Sequence, residues 1–171
     1  MRPLRRSWLG FAALATALPI ALAGCASDDI AVSTTFDPLV RFPATATYAW
    51  DDAARSLPED PRIDARSFDT LVKQAADQEF AARGYRAVAS GPANFRLSYQ
   101  FVVHTWIGAD NSRAVGSLSL LLAESRSRRR VWLGFGKAEI HVGLSEAERR
   151  ERLRDAFARM LKDFPPSQRG D

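Results

Sequence analysis

Phe95-Arg96-Leu97-Ser98-Tyr99-Gln100-Phe101-Val102-Val103-His104 decides the architecture. Phe95, Leu97, Tyr99, Phe101 and Val103 alternate with Arg96, Ser98, Gln100, Val102 and His104. A two-residue period is what an extended strand converts into one buried face and one wet face. Ala114 to Ala123 repeats the pattern, with Leu118, Leu120 and Leu122 on one side and Ser117 and Ser119 on the other. Val131 to Val142 is a third such stretch, placing Val131, Leu133 and Phe135 together. Turn-prone Gly108-Ala109-Asp110-Asn111 joins the first pair of strands and residues 125–130 join the second.

Outward from these strands the period lengthens to that of a helix. Phe68, Leu71, Val72, Ala75, Ala76 and Phe80 recur at three- and four-residue spacing, predicting a helix over 65–83 that stops at Gly84. Leu153, Phe157, Met160, Leu161 and Phe164 do the same over 146–164. Ser145 and Glu148 supply a capping box at its start and Pro165-Pro166 a stop at its end. β-prone stretches at Ile30–Phe36 and Phe42–Trp50 come first, followed by an acidic, proline-containing loop over 51–63. Runs of strands flanked by separate helices predict an α+β fold, a mostly antiparallel sheet with two helices packed on one face.

The N-terminus sets the address. Arg2, Arg5 and Arg6 precede an apolar run from Trp8 to Ala23, and Leu22-Ala23-Gly24-Cys25 then matches a lipobox. The expected organisation is a lipoprotein signal peptide over 1–24, lipidated Cys25 and tether over 25–35, one domain over 36–166 and a disordered tail over 167–171. Cys25, the single cysteine, takes the lipid through its thiol, so palmitate and membrane attachment follow. Ala26 and Ser27 follow it with no aspartate directly after, an arrangement that, by resemblance to the enterobacterial sorting rule, implies the periplasmic leaflet of the outer membrane. Removing the signal also rewrites the charge balance. The chain has 24 basic and 20 acidic residues, and the signal holds three arginines and no acids, leaving 21 against 20. A near-neutral domain excludes nucleic acid as a partner suggested by charge.

Few residues suggest chemistry. His104 and His141, the only histidines, read as strand-surface residues; a metal-assisted hydrolase built with Glu139 is the alternative. Neither a nucleophile elbow nor a dinucleotide loop occurs, and Gly134-Phe135-Gly136 reads as a close backbone approach within a strand. No cofactor and no catalytic residue are assigned. Arg126, Arg128, Arg129 and Arg130 crowd one hairpin turn, a candidate anion-binding site or a solvated turn that protects the hairpin tip. Trp106 and Trp132 are candidates to line a groove for a hydrophobic ligand or to form a second layer of core.

Thr47-Tyr48-Ala49-Trp50, Gly84-Tyr85, Phe95 to Tyr99, Gly116 to Leu122, Val131-Trp132-Leu133-Gly134 and Phe164-Pro165 follow one another in an order that resembles a bacterial envelope lipoprotein family, domain of unknown function 4136. The resemblance spans nearly all of the chain after Cys25 and implies fold and address, with no catalytic residue to transfer. The arginine-rich turn is heavier than that pattern. The expected role is a lipid-anchored, non-enzymatic envelope module that binds a protein or polymer partner. A carrier or sensor of a small hydrophobic, lipid-like ligand is the second reading.

Overall fold

A computed structural model describes residues 30–107, 112–141 and 143–165. Six strands form one sheet: β1 (Ala31–Phe36), β2 (Ala46–Trp50), β3 (Tyr85–Ala87), β4 (Phe95–Ile107), β5 (Ser112–Glu124) and β6 (Arg130–Glu139). Their order across the sheet is β1-β6-β5-β4-β2-β3. The alternating stretches are the antiparallel centre, with Leu97 opposite Leu122, Tyr99 opposite Leu120, and Leu118 opposite Gly136. Strand β2 runs parallel to both β3 and β4. A parallel pair needs a crossover, and helix α1 (Ala65–Ala81) provides it between β2 and β3. With α2 (Glu146–Met160), the fold is α+β, and both helices cover the same face of the mostly antiparallel sheet.

Both helix starts are built from local sequence. Asp64 caps α1 by accepting from the Ser67 N–H at 2.7 Å, and the Ser145–Glu148 capping box is complete at α2. Both helices end short of the expected residues 83 and 164. Gly84 turns left-handed at φ 84°, and a Cβ there would lie 2.5 Å from the Ala44 carbonyl oxygen, so the chain must stop winding before it. Pro165 disfavours helical geometry at Phe164, and α2 gives way to turns after Met160.

The core lies between sheet and helices. Phe164 sits at its centre, with its ring 4.9 Å from that of Tyr85, 5.2 Å from Phe80 and 5.3 Å from Trp132. One expectation shifts here. Val131 does not share a face with Leu133 and Phe135: the register slips beside Leu122/Ala123, and Val131, the extra residue, joins the core at 1% exposure. The β-prone stretch Ile30–Phe36 forms β1 from Ala31, so the end of the tether is itself a strand paired with β6.

Candidate functional site

A cavity of about 170 Å³ opens between the helices and the far end of the sheet. Its floor follows from missing side chains. Gly116 pairs with Ala138, and Leu118 with Gly136, so the sheet offers small residues where α2 crosses it. Met160 fills part of the space: a Cβ on Gly136 would lie 2.3 Å from its Cε. Phe101 fills another part, and a Cβ on Gly116 would lie 3.0 Å from its ring. Phe68 and Leu71 of α1 form one wall, Leu153 and Ala156 of α2 the other. The lining is apolar up to a polar edge where His141, Arg149 and Arg152 stand; Lys137 and Glu139 border it from β6 but alternate with Gly136 and Ala138 onto the other face of the strand. Ile30, buried at 7% exposure, stands at the edge, and its carbonyl accepts from Arg159 Nη1 at 3.4 Å.

Trp132 lines none of this. It is 2% exposed, its ring folded over Gly134 and against Phe164, so it belongs to the core instead of a groove. Trp106 lies in β4, but its side chain is outside the described residues. Cys25, the signal peptide and the tail are also outside them.

The histidines do not assemble with Glu139. His104 opposes Val115, which opposes Glu139, so the two residues are separated by two strand spacings, about 9.5 Å. His141 follows the end of β6. Among the described residues no three His, Cys, Asp or Glu side chains converge. The hydrolase alternative loses its geometry.

The arginine turn divides in two. Arg128 Nη1 donates to Asp51 Oδ2 at 2.9 Å, and Arg129 pairs with Asp37 Oδ2 at 3.0 Å. These bonds tie the β5–β6 hairpin to the ends of β2 and β1. Arg126 and Arg130 are exposed beside them. The turn stands at the opposite end of the sheet from Ile30. Between Lys137, which pairs with Ala31, and Arg130 lie seven strand steps, about 23 Å.

A polar seam missing from the sequence reading joins α1 to the sheet. Asp77 Oδ1 accepts from the Tyr48 hydroxyl at 2.5 Å and from Trp50 Nε1 at 3.0 Å. One turn of helix earlier, Lys73 packs over the Trp50 ring at 5.6 Å and donates to Asp52 at 2.8 Å. Another turn back, Asp69 accepts from the Tyr99 hydroxyl at 2.8 Å. Burial, and then these carboxylates, raise the Tyr48 and Tyr99 pKa values far above the ordinary phenol. Such phenols are donors fixed in the neutral form. The 69, 73, 77 spacing on α1 was the available signal, but the phenol partners appear only once β2 and β4 are paired.

The family model for domain of unknown function 4136 matches residues 32–166. The chain belongs to that family. Among solved structures, the PelC dodecamer of Paraburkholderia phytofirmans is similar at 15% identity, with 77% of this chain and 96% of that chain covered and a TM-score of 0.48. A PDZ domain protein from Parabacteroides distasonis gives 12%, 83%, 36% and 0.51 for the same quantities, a likeness of fold over about a third of that longer chain. The lipoprotein GNA1162 of Neisseria meningitidis gives 15%, 69%, 99% and 0.45. No curated protein matches the chain.

Proposed function

We propose that this member of the domain of unknown function 4136 family is a lipid-anchored, non-enzymatic module of the cell envelope, held on the periplasmic leaflet of the outer membrane through Cys25. The observation that carries this reading is the early start of the fold. Ile30 is buried and β1 begins at Ala31, so the link back to Cys25 spans at most about 17 Å even when fully extended. A domain so tethered sits against the bilayer with its Ile30 end inward. The β5–β6 turn then faces away, and its exposed Arg126 and Arg130 suit an anionic polymer or an acidic protein surface in the envelope.

Metabolic labelling with palmitate, followed by membrane fractionation, tests the anchor. The full chain is expected to take up label and sediment with outer membranes, while Cys25→Ser takes up none and is released. An unlabelled, freely soluble wild-type chain overturns the reading. For the partner, crosslinking from residue 126 in whole cells is expected to capture an envelope component; capture at background level counts against a binding role.

A further inference from the structure

We infer that the cavity between α1, α2 and the β4–β6 end of the sheet binds a short-chain anionic amphiphile, an apolar tail of about six to eight carbons carrying one carboxylate or similar anion. Size sets the tail. A dry apolar cavity of about 150 Å³ accepts a benzene ring, so 170 Å³ lined by Phe68, Leu71, Phe101 and Leu153 takes about six to eight carbons and no more. A full-length acyl chain would leave most of its methylenes outside.

Charge sets the head. Arg149 and Arg152 of α2 stand at the mouth, while Lys137 and Glu139 alternate with Gly136 and Ala138 onto the other face of β6. Arg149 is exposed on the first turns of α2, and one of its guanidinium N–H groups is held by the Leu144 carbonyl, which fixes the fork beside the mouth. A planar guanidinium pairs with a carboxylate through two parallel hydrogen bonds, a geometry an alcohol or amine cannot reproduce. Location supplies the ligand. Ile30 lies at the cavity edge, so on the anchored reading above the mouth opens within tether reach of the bilayer, where amphiphiles collect.

The test is a titration of the full chain in lipid nanodiscs with carboxylates from butanoate to dodecanoate, corrected for empty nanodiscs. Affinity is expected to rise about fourfold per methylene as far as octanoate and then level off, because further methylenes find no cavity wall. Octanol and octylamine of the same length are expected to bind at least tenfold more weakly than octanoate. Ala138→Leu fills the floor and is expected to cost more than tenfold in octanoate affinity. The exposed Arg149→Gln is expected to remove the preference for octanoate over octanol while leaving octanol affinity unchanged. A rise that continues through dodecanoate, equal binding of octylamine, or unchanged binding in both variants overturns the assignment. Cys25→Ser, titrated in solution, is expected to bind octanoate as the parent does, so a failed anchor and a failed pocket give different results.

Discussion

The indole ring of Trp132 lies over Gly134, so close that a Cβ on Gly134 would stand 2.4 Å from Cη2 of the ring. Two residues on, a Cβ on Gly136 would stand 2.3 Å from Cε of Met160. The distances are alike, but the obstacles differ. Trp132 is locked between Phe80 and Phe164, whereas Met160 offers a flexible terminal methyl that borders a cavity. Gly134→Ala is therefore expected to destabilise the domain by about 1–3 kcal/mol through overpacking. Gly136→Ala is expected to fall within about 1 kcal/mol of the parent, since alanine also removes glycine's entropic cost in a strand. Urea unfolding of both variants checks the ranking; equal losses would contradict it.

Asp77 is the acceptor for two aromatic donors, Tyr48 and Trp50, on neighbouring sheet positions. Removing it leaves a buried hydroxyl and a partly buried indole N–H without their partner. Asp77→Ala is expected to cost about 2–4 kcal/mol, roughly one unsatisfied-group penalty for each donor. Asp77→Asn keeps an oxygen acceptor and is expected to cost less than half as much. The comparison separates loss of an acceptor from loss of charge. Thermal unfolding of the two variants under one buffer supplies the numbers.

The chain's three tyrosines, Tyr48, Tyr85 and Tyr99, are all fully buried. Burial pushes Tyr85 up to about 12, and raises Tyr48 and Tyr99 further with the help of Asp77 and Asp69. In the unfolded chain these phenols titrate near 10. Above that pH the unfolded state binds fewer protons than the folded one, so stability falls as pH rises. The tyrosine contribution is fully present below pH ~10 and is lost progressively above it as the folded pKa values are approached. A spectroscopic titration is expected to show no phenolate at pH ~10 in the native protein, then ionisation of all three together with unfolding. A single tyrosine titrating normally in the folded state would refute this.

Strands β4 to β6 and both helices were legible because each is long enough to show its period. Leu97–Tyr99 and Leu118–Leu122 need only alternation, and the α1 stripe needs only its three- and four-residue spacing. Strand β3 was hidden because three residues show no period and its partner β2 is more than thirty residues away in the chain. Of the two readings of Trp132, groove or core, the sequence pattern alone decides neither. Leu133 and Phe135 make the opposite face of β6 equally apolar in sequence, and only pairing with Leu120 and Leu122 of β5 sets the Trp132 side against the helices. The cavity was illegible in a different way. It consists of side chains that Gly116, Gly136 and Ala138 lack, and such a gap exists only once α2 is laid across them.

The arginine turn offers a last test, because its four cations are not equivalent. Arg128 and Arg129 already face the carboxylates of Asp51 and Asp37, whereas Arg126 and Arg130 stand exposed. A cation held by a carboxylate offers an external anion little net field. Each exposed arginine is worth about 1 kcal/mol on an anionic surface, close to fivefold in affinity. The pair Arg126→Gln and Arg130→Gln is therefore expected to lower binding to a polyanion column by more than tenfold at low salt. The pair Arg128→Gln and Arg129→Gln is expected to change binding little and to cost stability instead, by about 0–1 kcal/mol per exposed bridge. Arg128 also sits at φ 58°, which costs a non-glycine residue about 1–2 kcal/mol. Arg128→Gly is thus expected to unfold at higher denaturant than Arg128→Gln. If the Arg128 and Arg129 pair weakened polyanion binding as much as the Arg126 and Arg130 pair, the division of the turn into a clamp and a binding edge would be wrong.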